Sequence, residues 1–327
     1  MWLASLLRYP KPGTPRSRRA RGRRPVPSPT PRFVPRLEAL EDRTLPSTYT
    51  VLNLHDGGAG SLRQAVLDAD AHPGHNTIRF AHGLHGTIGL TSGELDITGD
   101  LTIHGPGANR ISVSGNHAGR VFDLTGSGAN VTIAGLTIAD GLAAQGGGIE
   151  NAASNLTLKG VTLANDQAVG GPGEDAEGGG VFNGVGATLL VRDSVFANDV
   201  ARGIDRLDGG SAGNGFGGGL FNQGIATLHG TSFSANEAIG GGSTGAGGNG
   251  FGGGIMNDAG GTLTLRDSAF LGNYGFGGWH GTLANPLDKV ESAGNGAAIL
   301  TEATMVTFTP LPVMSKTRPA LLPLTVS

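Results

Sequence analysis

The sequence contains no cysteine, which removes disulfides, thiol nucleophiles and cysteine-ligated zinc together and leaves the redox compartment open. It also lacks any apolar run approaching the roughly eighteen residues that a membrane-spanning helix needs, so no transmembrane segment is expected and the body is expected to be soluble. Proline is sparse beside glycine, 17 against 60. The glycines do not recur at every third residue, which excludes a collagen-like helix. Stability therefore has to come from packing and hydrogen bonds, and some feature of the fold must require glycine.

What is present is 327 residues at 38% hydrophobic content, enough for one large domain. The formal charge of −3 conceals an asymmetry. Residues 1–47 carry 11 Lys+Arg against 3 Asp+Glu, leaving 12 basic and 23 acidic groups for the remainder, so a head of +8 precedes a body of −11. In the head, arginines alternate with Pro and Ser behind a short apolar stretch, Trp2 to Leu7. No helix or strand runs far through such a segment, and residues 1–47 are expected to be a disordered basic export or targeting segment. It has neither aromatic interleaving nor a groove-reading motif, so no nucleic-acid partner is expected.

From Thr77 the chain becomes a series of short β-type segments broken by Gly, Asn and Asp, among them Thr77–Phe80, Leu95–Ile97, Leu101–Ile103, Ile111–Val113 and Val131–Ile133. Strands of three or four residues following one another without hairpin signals fit a coil that stacks on its own next turn. A second pattern follows: Gly146-Gly-Gly-Ile-Glu-Asn151, Gly178-Gly-Gly-Val-Phe-Asn183, Gly217-Gly-Gly-Leu-Phe-Asn222 and Gly252-Gly-Gly-Ile-Met-Asn257, with first glycines 32, 39 and 35 residues apart. A three-strand coil needs roughly 20 residues. The surplus falls just before each Gly triplet, at 166–177, 199–216 and 237–251, and is expected to stack as a rough Gly-rich surface on one face.

The predicted fold is all-β: a single right-handed parallel β-helix over 77–300, an N-terminal cap over 48–76 containing a short helix capped by Ser61, and an irregular tail over 301–327. The apolar residue after each triplet (Ile149, Val181, Leu220, Ile255) is expected to point inward, on a core begun by Leu95, Ile97, Leu101 and Ile103. Two sets of asparagines read as ladders, since coils about 4.8 Å apart let equivalent Asn side chains bond up and down the stack. One set is Asn151, Asn183, Asn222 and Asn257; the other is Asn165, Asn198, Asn236 and Asn273.

These residues resemble the right-handed β-helix repeats of the pectin-lyase-like superfamily. The GGG-[ILV]-x-N units, with Phe233-Ser-Ala-Asn236 and Phe270-Leu-Gly-Asn273, resemble the repeats of chlamydial polymorphic outer-membrane proteins. The third residue is Gly here rather than Ala, and the copies ending at Asn165 and Asn198 lack the Phe. The opening Gly60-Ser-Leu-Arg-Gln-Ala-Val66 resembles the usual start of such exported proteins. Arg36-Leu-Glu-Ala-Leu-Glu-Asp-Arg-Thr-Leu-Pro-Ser47 resembles the LExLExRxLLS segment of exported planctomycete proteins, with Pro46 departing from it. The resemblance implies an extracellular or cell-surface location. The membrane barrel that ends the chlamydial family has no counterpart here, so release or attachment through a partner is expected.

Polysaccharide lyases and hydrolases share this superfamily, so the resemblance also admits a catalytic site. A lyase needs carboxylates for Ca²⁺ and a basic residue to take a proton; a hydrolase needs two carboxyls at a defined separation. No ordered set of either kind is legible. Asp193 and Asp267, equivalent residues two repeats apart, are the fallback catalytic pair, about 10 Å apart if each repeat is one coil and otherwise solvated turn residues. Glu174, Asp175, Glu177, Asp205 and Asp208 are weak candidates for Ca²⁺; no other cofactor is implied. His72, His75, His82 and His85 form two HxxH pairs, but Pro73-Gly74 breaks the first and a strand separates them, so no metal site is expected. The expectation is a non-enzymatic surface protein with a structural, adhesive or glycan-binding role toward polysaccharide or other envelope components. The alternative is a lyase or glycoside hydrolase.

Overall fold

Alternation of buried apolar and outward polar residues makes each short segment a strand with one face to hide, and stacking it on the next coil hides that face without a second layer. The computed structural model describes residues 46–280, 290–291, 299–301 and 306–309. Nearly all of the basic segment 1–47, and the tail beyond 309, lie outside the described residues.

Three long parallel sheets form the body. The first has nine strands, from Thr48–Val51 and Asn76–Phe80 through to Thr262–Arg266 and Val306–Thr309. The second and third have seven each, running from Gly86–Gly89 to Ala269–Leu271 and from Leu95–Ile97 to Ile299–Thr301. The chain visits them in the order first, second, third and repeats, which makes the fold a parallel β-helix. Among the described residues, the antiparallel exception is the pairing of Trp279–His280 with Val290–Glu291. Val306–Thr309 continues the first sheet into a stretch expected to be irregular, because its alternating residues pair in register with Leu263–Arg266.

The interior is built of columns. Ile78, Ile103, Ile133, Leu158, Val191, Leu228 and Leu265 are register partners in the first sheet, and all are buried. Ile149, Val181, Leu220 and Ile255 form the inward column of the third sheet, each 0% exposed. In the second sheet Phe196, Phe233 and Phe270 stack with centroids 4.5 and 5.0 Å apart. Each fully buried side chain of this size stabilises the fold by about 1.5–3 kcal/mol.

The stack is closed at its start by helix α1, Leu62–Asp70. Ser61 is its N-cap, accepting from the Gln64 N–H, and Leu62, Ala65, Val66 and Ala69 face the core. Asn76 seals its far end by donating to the carbonyls of Ala69 and His72, at 2.9 and 2.8 Å.

The insertions before the Gly triplets are not a rough loop surface. They pair in parallel as two further sheets: five strands from Leu142–Ala143 to Tyr274–Phe276, and three short ones at Ala176–Glu177, Gly215–Phe216 and Gly250–Phe251. Their glycines follow from crowding at the corner that returns the chain to the third sheet. Gly146, Gly178, Gly217 and Gly252 have φ of 56 to 65°, and a Cβ on Gly147 would run into the backbone of Gln167.

Candidate functional site

Two ladders of polar side chains run up the corners of the helix. At the corner between third and first sheets, Asn151 donates to Asn183 at 2.8 Å, Asn183 to Asn222 at 2.7 Å and Asn222 to Asn257 at 2.6 Å, all fully buried. Buried amides bonded this way hold coil to coil with no solvent competitor.

The second ladder differs from the sequence expectation by one residue in two coils. Asn165 and Asn198 have φ of 60 and 59° and occupy the left-handed position of the turn after the second sheet; Asp140, Ala235 and Gly272 hold it in other coils or neighbouring repeats. The ladder itself is Asp166, Asp199, Asn236 and Asn273. Asp166 N–H donates to Asp199 Oδ1 at 3.0 Å, Asp199 N–H to Asn236 Oδ1 at 2.9 Å, and Asn236 N–H to Asn273 Oδ1 at 3.1 Å. Asn suits both the left-handed turn and the ladder, so residue type alone does not separate the two adjacent positions. With the shift, Phe196 and Asp199 fall into phase with Phe233 and Asn236.

Asp166 and Asp199 are fully buried, and Oδ2 of each has no hydrogen-bond partner. In the coils with Asn, that branch is an amide: Nδ2 of Asn236 donates to the Phe196 carbonyl at 3.1 Å, and Nδ2 of Asn273 to the Phe233 carbonyl at 3.0 Å. The corresponding carbonyls for Asp199 and Asp166 are those of Leu163 and Ile138. A carboxyl in this place can donate only when protonated. Burial, and for Asp166 also the neighbouring Asp199 and Asp140 charges, pushes both carboxyls well above the usual carboxylate range.

The carboxylate cluster that sequence reading missed lies on the outer face of the third sheet. Asp96, Asp123 and Glu150 are register partners in three successive coils. Glu94 joins them, and one oxygen each of Glu94, Asp96 and Asp123 lie within 4.8 Å of one another. Arg120 sits among them, 2.8 Å from Glu94 Oε2 and 3.5 Å from Asp123 Oδ2, with a close pair to Glu150. Its Nε also donates to the carbonyls of Gln145 and Gly146 at 3.3 and 3.2 Å. Burial raises the Glu94 and Asp123 carboxyls, Arg120 opposes this, and the neighbouring carboxylates add to it. A cavity of about 70 Å³ lined by Leu90, Thr91, Gly93, Gly119 and Arg120 adjoins the cluster. Such a group can exchange protons or offer oxygen ligands to a hard cation. Its members come from three successive coils, so no single local motif announces it. Further along the same column stand Phe182, Phe221 and Met256, buried beneath Phe216 and Phe251 of the short outer sheet.

The residues singled out from sequence are dispersed. Asp193 and Asp267 both have φ of 50° at the corner after the first sheet, with Gly230 at the same corner in the coil between. Asp267 pairs with His229 at 3.2 Å. The weak Ca²⁺ candidates do not converge, because they serve as latches or local pairs. Asp175 accepts from Asn214 at 2.7 Å, Asp205 from the Gly242 N–H at 2.7 Å, Glu177 from Gln145 at 2.5 Å and Asp208 from Arg206 at 2.8 Å; Glu174 sits at the tip of its insertion. His72, His75 and His85 bond separately to the Asp68 carbonyl, Thr102 Oγ1 and the Gly83 carbonyl. Among the described residues, no helix is long and apolar enough to cross a membrane.

No family model matches the chain, and no curated protein matches it.

Proposed function

We propose that this is an exported, non-catalytic surface protein that binds glycans or other envelope components along the flat lateral faces of its β-helix. The observation that carries this reading is the outer face of the first sheet. Thr48, Thr77, Thr102, Thr132, Thr157, Thr227 and Thr264 fall in one register column, interrupted by Leu190, and alternate with buried apolar residues. A hydroxyl repeated once per coil suits an extended polymer rather than a small molecule in a pocket. The solenoid form and the LExLExRxLLS-like segment at 36–47 support export to the surface.

A second reading has its own observation. Carboxylates gathered beside an arginine are what a polysaccharide lyase or hydrolase would require, and Glu94, Asp96, Asp123 and Glu150 meet that description around Arg120. Against it, Arg120 is engaged by three carboxylates and two backbone carbonyls, which makes the group a clamp across coils. The deciding experiment incubates the full chain with acidic and neutral polysaccharides, with and without Ca²⁺, and follows product size by mass spectrometry. Intact polymer throughout is expected. Oligosaccharides released by the wild type and not by Asp123→Asn would overturn the non-catalytic reading.

A further inference from the structure

Between residues 48 and 280 the sequence has nine Lys+Arg against 20 Asp+Glu. Three of the nine are tied to acids: Arg63 to Asp56, Arg120 to Glu94 and Arg206 to Asp208. Four others, Arg79, Lys159, Arg192 and Arg266, share a single column on the outer face of the first sheet with His104 and His229. Ala134 fills the remaining place. The column spans six steps of about 4.8 Å, or about 29 Å.

Like charges directly opposite each other on neighbouring strands are destabilising, and nothing in the core asks for cations at this outward position. The four are exposed, and among the described residues none is in an ion pair. The acids nearest in sequence are Asp193 and Asp267 at the corner, and Asp267 is engaged by His229. The repulsion registers on His104, whose imidazole is held below its usual range by burial first and then by Arg79 and Lys159. In a body of net negative charge, a file of uncompensated cations beside a file of threonine hydroxyls marks a place for an anion repeated along a line.

We infer that the basic column of the first sheet is the docking strip for a linear anionic polysaccharide, laid along the helix axis. Its carboxylate or sulfate groups meet Arg79, Lys159, Arg192 and Arg266, and its hydroxyls meet the threonine column. The inference rests on the surface-binding reading above and adds the charge of the polymer and the column of side chains that meets it. A single-stranded nucleic acid is disfavoured because the column and the threonine file carry no Phe, Tyr or Trp on which bases would stack. An anionic membrane is disfavoured because the same two files offer only Leu190 as a large apolar side chain to insert.

The test measures binding of the full chain to polygalacturonate, dextran sulfate, neutral dextran, an oligothymidylate and phosphatidylserine vesicles at several salt concentrations. The triple variant Lys159→Gln, Arg192→Gln, Arg266→Gln is compared with an off-column control, Arg110→Gln with Arg202→Gln. Circular dichroism melts confirm that both fold. A third variant carries Arg18, Arg19, Arg21, Arg23 and Arg24 as Gln, because the N-terminal segment is itself basic. The expected result is salt-sensitive binding of the two acidic polymers, lowered about tenfold or more by the column variant, unchanged by the control and still column-dependent in the third variant. Carbohydrate binding that ignores the column substitutions, or favours neutral dextran, would overturn this inference and leave the glycan-binding reading in place. Failure of every carbohydrate to bind would remove both. Tighter column-dependent binding of the oligonucleotide or the vesicles would overturn the choice of a polysaccharide.

Discussion

Asp166 and Asp199 stand where the next two coils place asparagine, and the difference is one donor. The Oδ1 of each accepts a backbone N–H, as the amide oxygen does, but Oδ2 finds no partner while ionised. Both carboxyls are raised in the folded state, so it holds more protons than the unfolded chain across the window between the ordinary Asp value and the raised ones. Stability from these residues is therefore full at acid pH, below the unfolded value of about 3.9, and is lost as pH rises through that window. Asp199→Asn and Asp166→Asn, which supply the missing donor, are expected to raise stability at neutral pH by about 1–3 kcal/mol each and to change little near pH 4. Thermal melts across pH measure this; lower stability of either variant at pH 7 would contradict it. The opposite change, Asn183→Ala, orphans partners in Asn151 and Asn222 and is expected to cost at least about 2 kcal/mol in a denaturant titration.

At the level of elements, helix α1 and the Arg120 clamp secure the first coils. Ser61→Ala removes the N-cap acceptor for the Gln64 N–H and is expected to lower stability by about 1 kcal/mol. Arg120→Gln leaves Glu94, Asp123 and Glu150 facing one another without their shared cation. A loss of about 2 kcal/mol at neutral pH is expected, recovered toward acid pH as the raised carboxyls protonate; a loss independent of pH would mean that packing of the side chain, not its charge, matters. The insertions were not legible as elements. The strands of their three-stranded sheet, such as Ala176–Glu177 and Gly215–Phe216, have two residues each and owe their pairing to the register of the coils beneath. Neither carries a periodicity of its own.

Across the whole molecule, what repeats was legible and what converges was not. The coil order, the inward column through Ile149, Val181, Leu220 and Ile255, and the Gly-x-x corner all recur at a near-constant interval, and the β-helix follows from them. The Glu94–Arg120–Glu150 cluster comes from three coils, and the basic column uses one residue from each strand with interchangeable Arg, Lys and His; neither leaves a local signature. The second asparagine ladder was misplaced by one residue because the left-handed turn position and the ladder position are adjacent and both accept Asn.

The proposed function places ligand contact on a lateral face assembled by coil register. Hydroxyl-radical footprinting of the full chain, free and saturated with a bound polysaccharide, tests it most directly. Protection is expected along the first sheet from Arg79 to Arg266, spread over several coils, with the Glu94–Asp123 cluster unchanged. Protection confined to Glu94, Asp96, Asp123 and Arg120 would contradict it and place the site in a compact carboxylate centre.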